Sequence, residues 1–166
     1  MTVNVINIGQ KLDREISLLL RHSSIGNLEF PMRQDLTYDE FLSDKMLIIR
    51  AIRAGIPYSL FELIQQDTPF SEDEWLHFLD ITSQSLHHYR NASKHFNPVL
   101  SEKIIEIAEV TKEGLEVFED KDKFKLWLKT PKDSMGNLKP IELLRDSYGK
   151  ELVMEELMRL SEGNLA

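Results

Sequence analysis

The chain contains no cysteine. That absence removes a disulfide framework, a thiol nucleophile and any cysteine-based zinc site in one step. No run approaches the roughly 20 consecutive apolar residues that a membrane-spanning helix needs. The opening MTVNVINIGQKLDREI also lacks a basic stretch followed by an apolar one, so the expectation is a cytoplasmic protein without a membrane partner. Positive charge is scarce: 20 Lys and Arg face 28 Asp and Glu, for a net charge of −8. Residues 1–97 hold 9 against 13 and residues 98–166 hold 11 against 15, so no basic domain hides in the average. Such a balance excludes broad electrostatic attraction to nucleic acid, and any DNA contact has to be local. The motifs of catalysis are missing too, with no glycine-rich phosphate loop, no nucleophile elbow and no HExxH. Carboxylates abound, but pairs such as Glu102 with Glu106 and Glu109 with Glu113 sit at the spacing of solvated helix faces. No enzyme is expected, no catalytic residue is assigned, and no cofactor is implied.

What is present is ordinary globular composition, 42% hydrophobic and 29% charged over 166 residues. Apolar positions recur at helical steps. Leu12, Ile16, Leu19 and Leu20 define a helix over 11–22, which Gly26 breaks. QDLTYDEFLSDK reads as a polar turn. A second helix over 44–54 turns Leu47, Ile48 and Ala51 inward, with Arg50 and Arg53 flanking, and stops at Gly55. Ser59 with Glu62 spells a capping box that starts the next helix, and Ser71 with Glu74 repeats the signal. Asp80-Ile81-Thr82 then interrupts, and Thr82 caps a third short helix carrying Leu86, Tyr89 and Arg90. Past Asn97-Pro98, Ser101 is read as the cap of the longest segment, with Ile104, Ile107, Ala108, Thr111, Leu115 and Phe118 on one face. Phe124, Trp127 and Leu128 share a side of a short helix. Pro131, Gly136 and Pro140 punctuate the connection that follows, and Pro140 fits the first turn of a helix that Gly149 ends or kinks. A last amphipathic helix uses Val153, Leu157 and Leu160. No strand is expected, so the fold class is all-α.

Residues 71–91 form two short helices around a three-residue turn, the layout of a DNA-reading helix-turn-helix. Its second helix presents Ser83, Gln84, Ser85, His87, His88 and Arg90, with Thr82 at its start and Lys94 just beyond. Gln can bind adenine bidentately and Arg can bind guanine or phosphate, so these eight are the candidate DNA-contacting set. A corner of this kind also serves packing alone, and the acidic Glu72, Asp73 and Glu74 precede it. His87 and His88 project roughly 100° apart on a helix and cannot easily grasp one ion. With His95 they are read as polar surface groups, and no metal is assigned. The end of the chain, ELMRLSEGNLA, joins an apolar stripe to a Gly163 break and Leu165 near the carboxylate; taken alone it is a frayed terminus.

The order of signals from residue 49 onward changes that reading. IRAGIPYSLFELI, FSEDEWLHFLDITSQSLHHYR, LSEKIIEIAEVTKEGLEVFEDKDKFKLWLKTP and MGNLKPIELLRDSYGKELVMEELMRLSEG resemble the Xre/MbcA/ParS family of antitoxins, partners of RES-domain toxins. The most specific part is the C-terminal end: LSEK opening a long helix, VF near its end, then WL, KP with LL, and YG. The resemblance implies an Xre-like helix-turn-helix domain at 44–97 that binds operator DNA and a small helical toxin-binding domain at 98–166. Residues 1–43 remain as an N-terminal extension, for dimerisation or simple packing. It further implies that the antitoxin covers the active site of an NAD-consuming toxin, represses its own operon as a homodimer, forms a hetero-oligomer with the toxin, and has no catalytic role. Carried over by residue, Lys139, Pro140, Leu143 and Leu144 belong to the frame of the toxin-binding domain. Glu162, Gly163, Asn164 and Leu165 are the segment expected to reach the toxin cleft, an inference from the narrowness of a helix end. Asp80 stands where the family has a turn glycine, His87-His88 where two arginines are common, and Asn137 where a second loop glycine is usual. Asp and Asn tolerate the left-handed conformation best among non-glycine residues. Neutral histidines attract phosphate poorly, which places toxin binding ahead of DNA binding. The competing reading is a stand-alone regulator whose C-terminal domain only dimerises.

Overall fold

A computed structural model describes residues 7–22 and 36–163. Among them every regular element is helical, and strand-type pairing is confined to two isolated bridges, Pro57 with His95 and Lys132 with Leu138. The α-helices are α1 (Ile8–His22), α2 (Tyr38–Leu42), α3 (Lys45–Ala54), α4 (Tyr58–Asp67), α5 (Glu72–Leu79), α6 (Ser83–Asn91), α7 (Pro98–Phe118), α8 (Lys121–Leu128), α9 (Pro140–Leu143) and α10 (Ser147–Gly163). A 3-10 turn, Asp133–Met135, lies between α8 and α9. The chain is all-α, as its periodicity predicts. It divides into two compact units that interleave along the sequence. The first is Met1–Asp67 with Thr82–Ile105, and the second is Thr68–Ile81 with Glu106–Ala166. The division therefore falls inside α7 and on either side of α5.

In the first unit α1 packs on α2, α3 and α4 through the expected stripe, with Leu12, Ile16, Leu19 and Leu20 all buried. Gly26 lies outside the described residues. The stretch read as a polar turn is instead the short helix α2. Thr37 caps it, and its large side chains Tyr38, Phe41 and Leu42 are buried. Burial supplies what four or five residues of intrinsic propensity cannot. Asp44 caps α3 by accepting the N–H groups of Met46 and Leu47, and Gly55 ends it at φ 86°. Arg50 is buried rather than flanking.

Two expected caps are displaced by stronger signals two to four residues upstream. The Pro57 carbonyl accepts the N–H groups of Leu60 and Phe61, both at 3.1 Å, so α4 begins at Tyr58. Ser59 falls inside the first turn and donates to Glu15 at 3.1 Å. Likewise Asn97 opens α7, its Oδ1 accepting the Leu100 N–H at 2.9 Å with Pro98 at the first helical position. Ser101 is then free to work across the unit: its buried hydroxyl accepts the Ile56 N–H at 2.9 Å and donates to the Phe96 carbonyl at 3.2 Å. The Phe96 N–H donates back to the Ile56 carbonyl at 2.8 Å. Gly55 is required beside this knot, because a Cβ there would lie 2.5 Å from the Phe96 carbonyl.

In the second unit α5 carries the expected reciprocal cap between Ser71 and Glu74, at 3.0 and 3.2 Å. Phe70, Trp75 and Phe78 meet edge to face, and the Trp75 indole donates to Thr68 at 3.1 Å. Gly114 of α7 lets the Phe124 ring of α8 approach to where a Cβ would sit, 2.1 Å away. Phe124 stacks with both Phe118 and Trp127 beside that contact. The punctuated connection behaves as read: Gly136 and Asn137 both adopt positive φ, 65° and 62°, and Pro140 starts a helix. The Gly149 reading is corrected. α9 stops at Leu143, and α10 runs unbroken from Ser147 after Asp146, whose carboxylate accepts the Gly149 N–H at 2.6 Å.

Candidate functional site

Asp80 closes α5 in the left-handed conformation, φ 52° and ψ 47°, and Thr82 opens α6 by accepting the Ser85 N–H at 3.1 Å. The turn therefore keeps its geometry without glycine. Along α6, Leu86 is buried and Tyr89 is half-buried, stacked on Phe96 with ring centroids 4.4 Å apart. Ser83, Gln84, Ser85, His87, His88 and Arg90 are all exposed, as are Thr82 and Lys94. The eight residues chosen from sequence thus share a solvent-facing stretch of one short helix and its flanks. Two of them are partly committed. Arg90 donates from Nε to the hydroxyl of the buried Tyr58 at 2.8 Å, and Thr82 is the helix cap. Tyr58, which orients Arg90 from α4, carries no sequence signal that links it to a residue 32 positions away. His95 lies apart from the other two histidines in role, with Nδ1 3.1 Å from the Gly55 carbonyl. Among the described residues no three acidic or histidine side chains converge as metal ligands.

The C-terminal candidates divide by burial. Leu144 and Pro140 are buried and Leu143 is half-buried, so they shape the unit from within, while Lys139 is exposed with its N–H bound to Glu142 at 2.8 Å. Glu162 and Gly163 are exposed at the end of α10; Asn164 and Leu165 lie outside the described residues. α10 is held on α7 by Ser147 donating to Glu106 at 3.0 Å and by Lys150 paired with Glu109 at 3.4 Å. Those two glutamates, read as solvated, are half-buried anchors. With Val153 and Leu157 turned inward, α10 leaves Tyr148, Leu152 and Met158 outward at 82%, 50% and 54% exposure. Leu126 and Leu138 are exposed in the same unit. Tyr148, Leu152, Glu155 and Arg159 follow one another at helical steps about 100° round from the buried Gly149, Val153 and Leu157, but a repeat of this kind does not say which face stays outward.

A short exposed polar helix after a tight turn, joined in one chain to a helical unit with an uncovered apolar stripe, defines a helix-turn-helix protein with an added binding domain. Residues 47–109 match the antitoxin Xre-like helix-turn-helix domain, and residues 113–163 match the antitoxin Xre/MbcA/ParS C-terminal toxin-binding domain. The chain belongs to this family of Xre-type antitoxins. No curated protein matches it closely enough to add a nearer relative. The family's two domains make a toxin and DNA its kinds of partner, and such families are typically non-enzymatic. None of the described helices is long and apolar enough to cross a membrane.

Proposed function

We propose that this antitoxin neutralises a RES-domain, NAD-consuming toxin by covering its active site, and that it represses its own operon by placing α6 of two copies on a palindromic operator. The carrying observation is the presence of both domain matches in a single chain, the toxin-binding one spanning 113–163. Occlusion needs no catalytic group on the antitoxin, and the sequence offers none of the common catalytic motifs. Two-fold repetition of a weakly basic helix offsets a net charge of −8, because each copy adds its own phosphate contacts. The NAD site of such a toxin must hold a pyrophosphate and hence be cationic, which suits an acidic blocker. Glu162 to Leu165 remain the part proposed to reach deepest, and residues 98–166 the part proposed to hold the toxin.

Co-expression with the adjacent gene is the test. Rescue of growth together with co-purification supports the antitoxin reading. If the chain gel-shifts its own promoter but neither rescues growth nor captures the neighbour's product, the stand-alone regulator replaces it.

A further inference from the structure

Within the second unit the outward face of α10 and the 3-10 turn enclose a cleft of about 240 Å³, lined by Ser134, Met135, Leu152, Glu155, Glu156 and Arg159. Leu152 belongs both to this cleft and to the outward stripe, where Tyr148 stands one turn before it. The surround is acidic. Glu151, Glu155 and Glu162 are exposed on α10, and Arg159 is already paired with Glu156. Tyr148, 82% exposed, and the half-exposed Leu152 one helical turn on form a small apolar patch with polar neighbours, the composition of an interaction site. Tyrosine is also among the residue types most enriched at the energetic centre of interfaces.

We infer that Tyr148, Leu152 and the adjoining cleft are the main anchor for the toxin, which inserts one apolar side chain there and rings it with basic residues facing Glu151 and Glu155. This inference rests on the antitoxin reading above and adds to it a division of labour. The side of α10 supplies affinity, and the end of α10 supplies blockage. The occupant is the toxin rather than a second copy for two reasons. The surface lies inside the stretch matched as toxin-binding, 113–163, and its acidic rim would repel an identical rim. The punctuated loop gains a purpose as well. Gly136 and Asn137 turn the chain so that Ser134 and Met135 form the far wall of the cleft.

The test pairs the double variant Tyr148→Ala/Leu152→Ala with Met46→Ser, a half-exposed apolar control in the first unit and outside residues 98–166. The full-length antitoxin is titrated against the tagged product of the adjacent gene, with thermal melting and light scattering on the antitoxin alone. Neither stripe residue is buried, so the double variant should melt like the wild type. Its toxin affinity should fall by about 30-fold or more, the scale of losing an interface hot spot, while Met46→Ser binds normally. A milder change, Leu152→Gln, should lie between the two. Unchanged capture by the double variant, while the wild type still binds, overturns the anchor and leaves the antitoxin reading standing. A changed oligomeric state with unchanged capture also overturns it, assigning the stripe to self-association. Failure of the wild type itself to bind overturns both.

Discussion

Gly149 states most sharply what single positions have to satisfy in this fold. By intrinsic propensity a glycine in the first turns of a helix costs about 1 kcal/mol relative to alanine, so replacing it ought to help. Packing reverses the sign. A Cβ at this position would lie 1.8 Å from the Leu143 carbonyl oxygen and 2.7 Å from its carbon, both backbone atoms that cannot rotate away. α9 and α10 would have to part. We expect Gly149→Ala to cost about 3 kcal/mol, at the upper end of overpacking penalties. At roughly 2–4 °C per kcal/mol for a chain of this size, the melting temperature should drop by about 6–12 °C. Gly163→Ala, with nothing within 4 Å of its added carbon, should stay within about 0.5 kcal/mol of the parent. Circular dichroism melts of the two variants check the pair, and equal melting temperatures would contradict the packing of α9 on α10. The sequence shows a glycine here and nothing of the carbonyl above it, which is why it reads as a helix break.

At the scale of elements, α6 makes a prediction about salt. If Arg90 and Lys94 each meet a phosphate, replacing both by alanine removes about two counterion-releasing contacts and flattens the slope of log affinity against log salt by about 2. Gln84→Ala should instead weaken operator binding by about 1–3 kcal/mol with the slope unchanged, since a base contact releases no counterion. Arg90 complicates the first variant, because its loss also strips the buried Tyr58 hydroxyl of a partner. Tyr58→Phe supplies the control: it should cost about 1 kcal/mol of stability and leave the salt slope nearly intact. Fluorescence-anisotropy titrations at several salt concentrations separate the three, and a double variant with the parental slope would remove α6 from the DNA surface. The same element shows why part of the site could be read in advance. Thr82, Ser71 with Glu74, and Pro140 act on partners within three residues, so their roles are written locally. Ser101 acts on Ile56, 45 positions away, and was outcompeted as a cap by Asn97-Pro98 next to it. Ser59 lost its cap to Pro57 in the same way. α2 has too few residues to announce itself by period, and only burial of Tyr38, Phe41 and Leu42 reveals it. The polar face of α6 was legible because exposure follows from composition. The apolar stripe of α10 was not, because a leucine or tyrosine on a helix looks the same whether it will face a core or a partner.

For the molecule as a whole, the interleaving of the two units decides how the protein can be cut. The toxin-binding match begins at 113 and the sequence suggests a boundary between 97 and 98, yet the second compact unit reclaims Thr68–Ile81 from upstream. That segment carries Phe70, Trp75 and Phe78, all buried, and Glu74, which pairs with Lys129 at 3.6 Å. Losing one buried aromatic costs about 3–5 kcal/mol, and a whole domain of this kind is stable by only about 5–15 kcal/mol. The surface ion pair adds little to that account. The loss of three such aromatics is comparable to the whole of that stability, so a fragment of residues 98–166 should show no cooperative thermal transition. A fragment beginning at Thr68 retains every residue of the second unit and should melt cooperatively. Differential scanning calorimetry on the two fragments, each then tested for toxin capture, separates folding from binding. A sharp transition in the 98–166 fragment would mean that α5 is dispensable to the C-terminal core. Its absence, with capture restored from Thr68 onward, would make the first helix of the DNA-reading corner a structural part of the toxin-binding unit. α5 would then serve both the fold of that unit and the turn that leads into α6.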